Sequence, residues 1–355
     1  MSTSSVNAVK PAIKPTKPWA ATPKDRAITA LSVILGIATS LLVVAVTPMK
    51  GKLAYFFVFY ISWIIIDSLL MYRKIGKKGV RDGLAAKVTL FGGLVVMLAV
   101  ASILWATLSR GIKGMNVAFL TQTMHKASLF DPIGKGGILH AVVGTLMLIA
   151  IAVVISVPMG ILTALYLTEI KGRAAGLIQF LVQAMSGVPS VVAGLFIYAA
   201  IILNTPLRSS AFLGGLALTI LMVPTVTRTA QEVLNLVPRD LREAGLAMGA
   251  TQWKTVALVV VPAARSGLIT ATILGVARIA GETAPLLFTV GVFDDYNPNP
   301  FKGDQGSIPT VVWRGLLGGT PESIQRAWSA ILVLLIVVLI MFVLARTLGS
   351  KAMKK

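Results

Sequence analysis

A chain of 355 residues with 56% hydrophobic and only 13% charged side chains has too few charges to cover a water-facing surface, since a soluble domain carries roughly 25%; its mean hydropathy is +0.84. The formal net charge of +20 does not point to nucleic acid, because the lysines and arginines sit in short segments beside apolar runs, the arrangement of the positive-inside rule. The absence of cysteine excludes disulfides, thiolate catalysis and Cys-ligated metals, and His125 and His140 lack companion ligand spacing.

Residues 1–27 are rich in Ser, Thr, Pro and Lys and read as a disordered basic tail, because that composition cannot bury a core. No apolar stretch with a small-residue cleavage site follows Met1, so the first apolar run is expected to act as an uncleaved signal-anchor. Apolar runs at 28–46, 53–72, 88–108, 138–168, 177–203, 211–230, 264–292 and 328–348 predict about eight membrane spans. The run at 138–168 is longer than one bilayer needs. That at 177–203 is interrupted by Gly187-Val188-Pro189, which suggests a short helix followed by a span. Pro158, Pro224 and Pro285 fall within other runs, as helix breakers do where neighbours or water satisfy the freed backbone groups. Phe56, Phe57, Phe59, Tyr60 and Trp63 are expected to face lipid or its interface, and Asp67 has no partner that the sequence names.

Orientation follows from the basic residues. The 73–87 segment, expected as a loop, holds Arg73, Lys74, Lys77, Lys78, Arg81 and Lys87, and both ends of the chain are basic. With an even number of spans these all fall on the cytoplasmic side, as does 231–262, while 109–137 and 293–327 face outward.

The expected cytoplasmic segment 238–262 runs Pro238-Arg-Asp-Leu-Arg-Glu-Ala-Gly-Leu-Ala-Met-Gly and ends on Val259-Val260-Val261-Pro262. Leu241, Ala244, Met248 and Trp253 give it an apolar contact face, Gly249 allows a sharp turn or close approach, and Glu243 offers a charge for a basic partner. Glu243, Ala244, Gly245 and Gly249, with Pro262 at its fixed distance, resemble the "EAA" loop of ABC-importer permeases, Gly245 standing for the second alanine. The resemblance implies that this loop docks in a groove of an ATPase. No Gly-x-x-x-x-Gly-Lys-Ser/Thr motif occurs, and Gly134-Lys135-Gly136 lacks a P-loop's setting, so this chain is expected to be no enzyme and to bind no cofactor.

Within 267–292 the only charges are Arg278 and Glu282. As one helix, that stretch would place them on one face, a turn apart. An unpaired arginine in mid-membrane costs about 2.5–3.5 kcal/mol, so Arg278 must pair, face a wet cavity or meet an anion. Arg228, after Pro224, is a second such residue, with snorkelling to the interface as its simpler role. The sequence from Ala277 through Gly281-Glu-Thr-Ala-Pro-Leu-Leu resembles a signature of the permease subunits of bacterial phosphate ABC importers, as does Arg228 in its context.

That resemblance covers roughly 88–348. It implies an all-α polytopic membrane protein: an importer permease core of six transmembrane helices, preceded here by an extra N-terminal transmembrane pair and basic loop over 28–87, and closed by a basic tail over 349–355. It further implies phosphate import by alternating access across the bacterial inner membrane. The partners would be a second permease, two ATPase subunits that carry the ATP and Mg, an extracytoplasmic phosphate-binding protein, and membrane lipids. Arg228 and Arg278 would then lie on the substrate pathway with Glu282 as an accessory that neutralises Arg278 when the path is empty. A permease for another oxyanion or a phosphonate would share the loop. An ion-coupled secondary transporter would instead use Arg278 and Glu282 in a proton relay. A membrane enzyme is disfavoured because no nucleophile–base or metal-ligand set appears.

Overall fold

The computed structural model describes residues 23–48 and 51–351; of the tail expected over 1–27, residues 1–22 lie outside them, as do 352–355, while residues 23–27 are helical and not part of a disordered tail. The described residues form helices and connecting segments with no strand. In chain order the helices are α1 (Pro23–Val46), α2 (Lys52–Gly111), α3 (Val117–Thr121), α4 (Leu139–Leu165), α5 (Ala175–Ser186), α6 (Ser190–Ile197), α7 (Ala211–Asn235), α8 (Arg239–Ala247), α9 (Gln252–Thr255), α10 (Val261–Ala280), α11 (Leu286–Thr289), α12 (Ile308–Gly318) and α13 (Pro321–Lys351). Among the described residues, seven stretches are long and apolar enough to cross a membrane, and the pair α5–α6, bent by 104°, makes an eighth if it is one span. The bend falls at Gly187-Val188-Pro189, where Pro189 caps α6 with extended backbone.

Two further sequence expectations are corrected. The 73–87 segment is helical: α2 runs through it and breaks only at Gly76, whose φ of 68° and ψ of −175° lie outside the helical region. Its lysines and arginines are good helix formers, and no proline stops them. The apolar run at 264–292 is not one helix. α10 stops at Ala280 with Gly281 as its C-cap, and Pro285, which has no N–H to donate, starts the short α11.

The chain divides into two compact units, residues 1–102 and 103–355. In the first, Asp67 has the partners the sequence did not name. Its buried carboxylate accepts hydrogen bonds from Ser32 Oγ (2.8 Å) and from Lys87 Nζ. Trp63 Nε1 donates to Ser32 Oγ at 3.2 Å, and the Lys87 ammonium lies 5.5 Å from the Trp63 ring centroid. Tyr60 stacks on Phe91 with centroids 4.3 Å apart and donates to the Lys87 carbonyl at 2.6 Å. Tyr60 and Trp63, both half-buried, pack within the unit, while Phe56 and Phe57 stay exposed.

In the second unit α4 and α7 pack along their lengths, and α10 joins them. Leu148, Ala152, Leu218, Met222, Val226 and Ile279 form the buried centre. Gly275 lies against Val226 and Met222, where an added Cβ would come within 2.8 Å of Val226, so α7 and α10 run in close contact. At the end of this unit away from α8 and α9, Arg326 on α13 is 1% exposed. Its Nη2 donates to the carbonyls of Asp131 (3.1 Å), Pro132 (2.8 Å) and Lys135 (2.6 Å). The Gly134-Lys135-Gly136 stretch is thus part of a loop wound round a buried guanidinium.

Candidate functional site

Two of the three charged residues expected on a substrate path meet in space. Arg228 lies about a turn beyond Pro224 on α7, and Arg278 lies near the end of α10. The close α7–α10 contact brings both to one cavity of about 220 Å³, also lined by Met185, Ser186, Leu221, Pro224, Thr225 and Thr229. Ser186 comes from the last turn of α5, so the break at Gly187 helps shape the cavity. No acidic residue lines it. Neither guanidinium has an ion pair or side-chain hydrogen bond among the described residues, and both are exposed on this chain's surface. The neighbouring hydroxyls are occupied by their own helices: Ser186 Oγ donates to the Val182 carbonyl at 2.8 Å and Thr229 Oγ1 to that of Thr225 at 3.0 Å.

Two guanidiniums without an ion pair among the described residues thus reach one cavity whose lining holds no carboxylate. Planar guanidinium donors of this kind suit the paired oxygens of a tetrahedral oxyanion.

Glu282 does not join them. It is half-buried in the segment between α10 and α11, outside the cavity lining, and forms no ion pair with Arg278 among the described residues. The shared helical face expected for the pair is lost because the helix ends at Gly281.

The segment 238–262 folds as two helices and a turn. Pro238 precedes α8, Gly249 turns the chain with φ of +80°, and Thr251 caps α9 by accepting from the Lys254 amide. An added Cβ on Gly249 would meet nothing within 4 Å, so Gly249 serves the left-handed backbone and not a close approach. Gly245 serves the approach: a Cβ there would come within 2.7 Å of Thr255 Cγ2, which holds α8 against α9. Glu243 and Ala244 are exposed. Leu241, Met248 (88% exposed) and Trp253 (64%) leave the apolar face uncovered on this chain.

Sequence reasoning missed Arg242 and Glu169. They form a two-pronged ion pair across 73 positions, with Nε to Oε2 at 2.9 Å and Nη2 to Oε1 at 2.7 Å. That side-chain hydrogen bonding raises the already high pKa of Arg242, against the opposing effect of burial. The available signal was an acidic residue directly after the apolar run at 138–168.

Residues 156–354 match the family of binding-protein-dependent transport system inner membrane components. The match spans more than half the chain, and the chain belongs to that family. It is a multi-pass inner-membrane protein, and its relatives are transport permease subunits and not enzymes. The Phosphate transport system permease protein PstA 1 of Mycobacterium tuberculosis is 35% identical over 263 residues, 74% of this chain and 86% of that protein. PstA of Pasteurella multocida is 35% identical over 248 residues, 69% of this chain and 85% of its own length. Among solved structures, a chain of the inward-facing MetNI methionine ABC transporter is 19% identical with a TM-score of 0.45, covering 61% of this chain and 93% of that one.

Proposed function

We propose that this chain is a PstA-like permease subunit of an ABC importer that carries inorganic phosphate across the cytoplasmic membrane. The observation that carries the reading is the convergence of Arg228 and Arg278, without a carboxylate partner, on one cavity beside a broken helix. Facing lipid, each charge would cost about 2.5–3.5 kcal/mol; facing a shared path with a passing oxyanion, each is stabilised in turn. Glu282 is an accessory that approaches Arg278 when the segment between α10 and α11 rearranges. A path must also release what it binds, and lone arginine contacts without further donors favour release.

The driving force comes from outside the chain. Two ATPase subunits of the PstB kind hold the ATP and Mg, and the exposed loop of Glu243, Ala244, Gly245 and Gly249 docks with one of them in the cytosol. A PstC-like second permease completes the path by covering the exposed arginines, and a PstS-like binding protein delivers phosphate from outside. The basic termini are cytoplasmic, in keeping with the positive-inside rule.

The test is uptake by the reconstituted complex with and without its ATPase. Uptake should require ATP and be competed by phosphate more than by sulfate or a phosphonate. Arg228→Gln and Arg278→Gln should each lower it about tenfold or more, the worth of a charge-assisted hydrogen bond. Proton-driven uptake without the ATPase, or normal uptake by both variants, would defeat the reading.

A further inference from the structure

Arg242 stands beside Glu243 on α8, yet it reaches into the protein while its neighbour stays exposed. One guanidinium joins three elements. It grips the Glu169 carboxylate, whose side chain is 7% exposed, at the π-helical turn that ends α4. It also donates to two carbonyls at the end of α7: Nη2 to Leu234 at 2.8 Å and Nη1 to Val237 at 2.6 Å. Helix ends leave such acceptors short of partners. Gln252 Nε2 on α9 adds a bond to the Glu169 carbonyl at 2.6 Å.

The rest of α8 is poorly held. None of its residues is buried, and a cavity of about 560 Å³ opens among α8, α9 and the ends of α4 and α7. The Gly245–Thr255 contact ties α8 to the span that begins at Gln252, whereas the ends of α4 and α7 are joined to α8 through Arg242. A two-pronged arginine–carboxylate bond fixes orientation as well as distance, and opening it strands a charge in a largely buried place.

We propose that Arg242 is the transmission residue of the loop: it makes α8 and the ends of α4 and α7 move as one body when the ATPase moves α8. Because α7 carries Arg228, the same link couples the nucleotide cycle to the anion cavity. This rests on the function proposed above. Arg242 is a positioning residue and touches no cargo.

The experiment is the ratio of phosphate transported to ATP hydrolysed in the reconstituted complex, for wild type, Arg242→Gln, Glu169→Gln and the double variant. Each single change should lower the ratio about three- to tenfold, the range of a lost coupling contact, with ATP hydrolysis within about twofold of wild type. The double variant should be no worse than the poorer single, because both act through one bond. Arg242→Lys, a point charge that cannot serve the carboxylate and both carbonyls together, should fall between. A wild-type ratio in the single variants, or losses that simply add, would overturn the inference. If Arg242→Gln fails to assemble, Glu169→Gln carries the test on the same criterion. Wild-type complexes that move no phosphate would overturn the proposed function and this inference with it.

Discussion

Arg278 and Glu282 show how far a single spacing carries. Four positions apart in an apolar run, they satisfy the rule for neighbours on a helix face, but Gly281 ends the helix between them and the carboxylate is turned out of the cavity that holds the guanidinium. In the proposed role Glu282 acts in another conformation, so Glu282→Gln should leave assembly intact and lower ATP-driven phosphate uptake severalfold. Unchanged uptake in proteoliposomes would remove Glu282 from the pathway and leave the two arginines as its charged residues. Gly245 and Gly249 show the opposite outcome. Both were marked by the motif, and the structure divides their tasks: one allows two helices to touch, the other supplies a left-handed turn.

Among the elements, the N-terminal hairpin has chemistry of its own. Asp67 and Lys87 form a largely buried ion pair supported by Ser32, Trp63 and Tyr60, all within residues 1–102. Such a pair resists the loss of one member more than the loss of both. Asp67→Leu should destabilise this unit by roughly 3–5 kcal/mol, and Asp67→Leu/Lys87→Leu by clearly less. Thermal unfolding in detergent, followed by proteolysis between α1 and α2, measures both. A double variant less stable than Asp67→Leu by the full cost of losing Lys87 would mean that the charges contribute independently. The broken helix pair α5–α6 was visible in the sequence because Gly187 and Pro189 interrupt an apolar run; its 104° bend was not, since that angle depends on what the two halves pack against.

For the molecule as a whole, the arrangement to check is sidedness. The proposal puts α8 and α9 in the cytosol and the segment between α11 and α12 outside. The chain has no cysteine, so Met248→Cys and Lys302→Cys give single labels at exposed positions. A membrane-impermeant thiol reagent should reach position 248 only from the cytoplasmic side, with protection once the ATPase binds, and position 302 only from outside. Labelling of both from one side would refute the topology.

Composition and run length alone settle that this chain lives in a bilayer, because twenty apolar residues in water have no other stable home. The breaker residues mark the interrupted helix, and the spacing from Glu243 to Pro262 marks the helix–turn–helix segment proposed to dock with the ATPase, since both are local features of the backbone. Tertiary structure decided what depends on distance across the fold. It placed Arg228 beside Arg278, gave Asp67 to Lys87, and closed Arg242 on Glu169. A charge buried in low dielectric must find a partner or water, but its position in the sequence does not say which, because helices far apart along the chain are equally able to supply one.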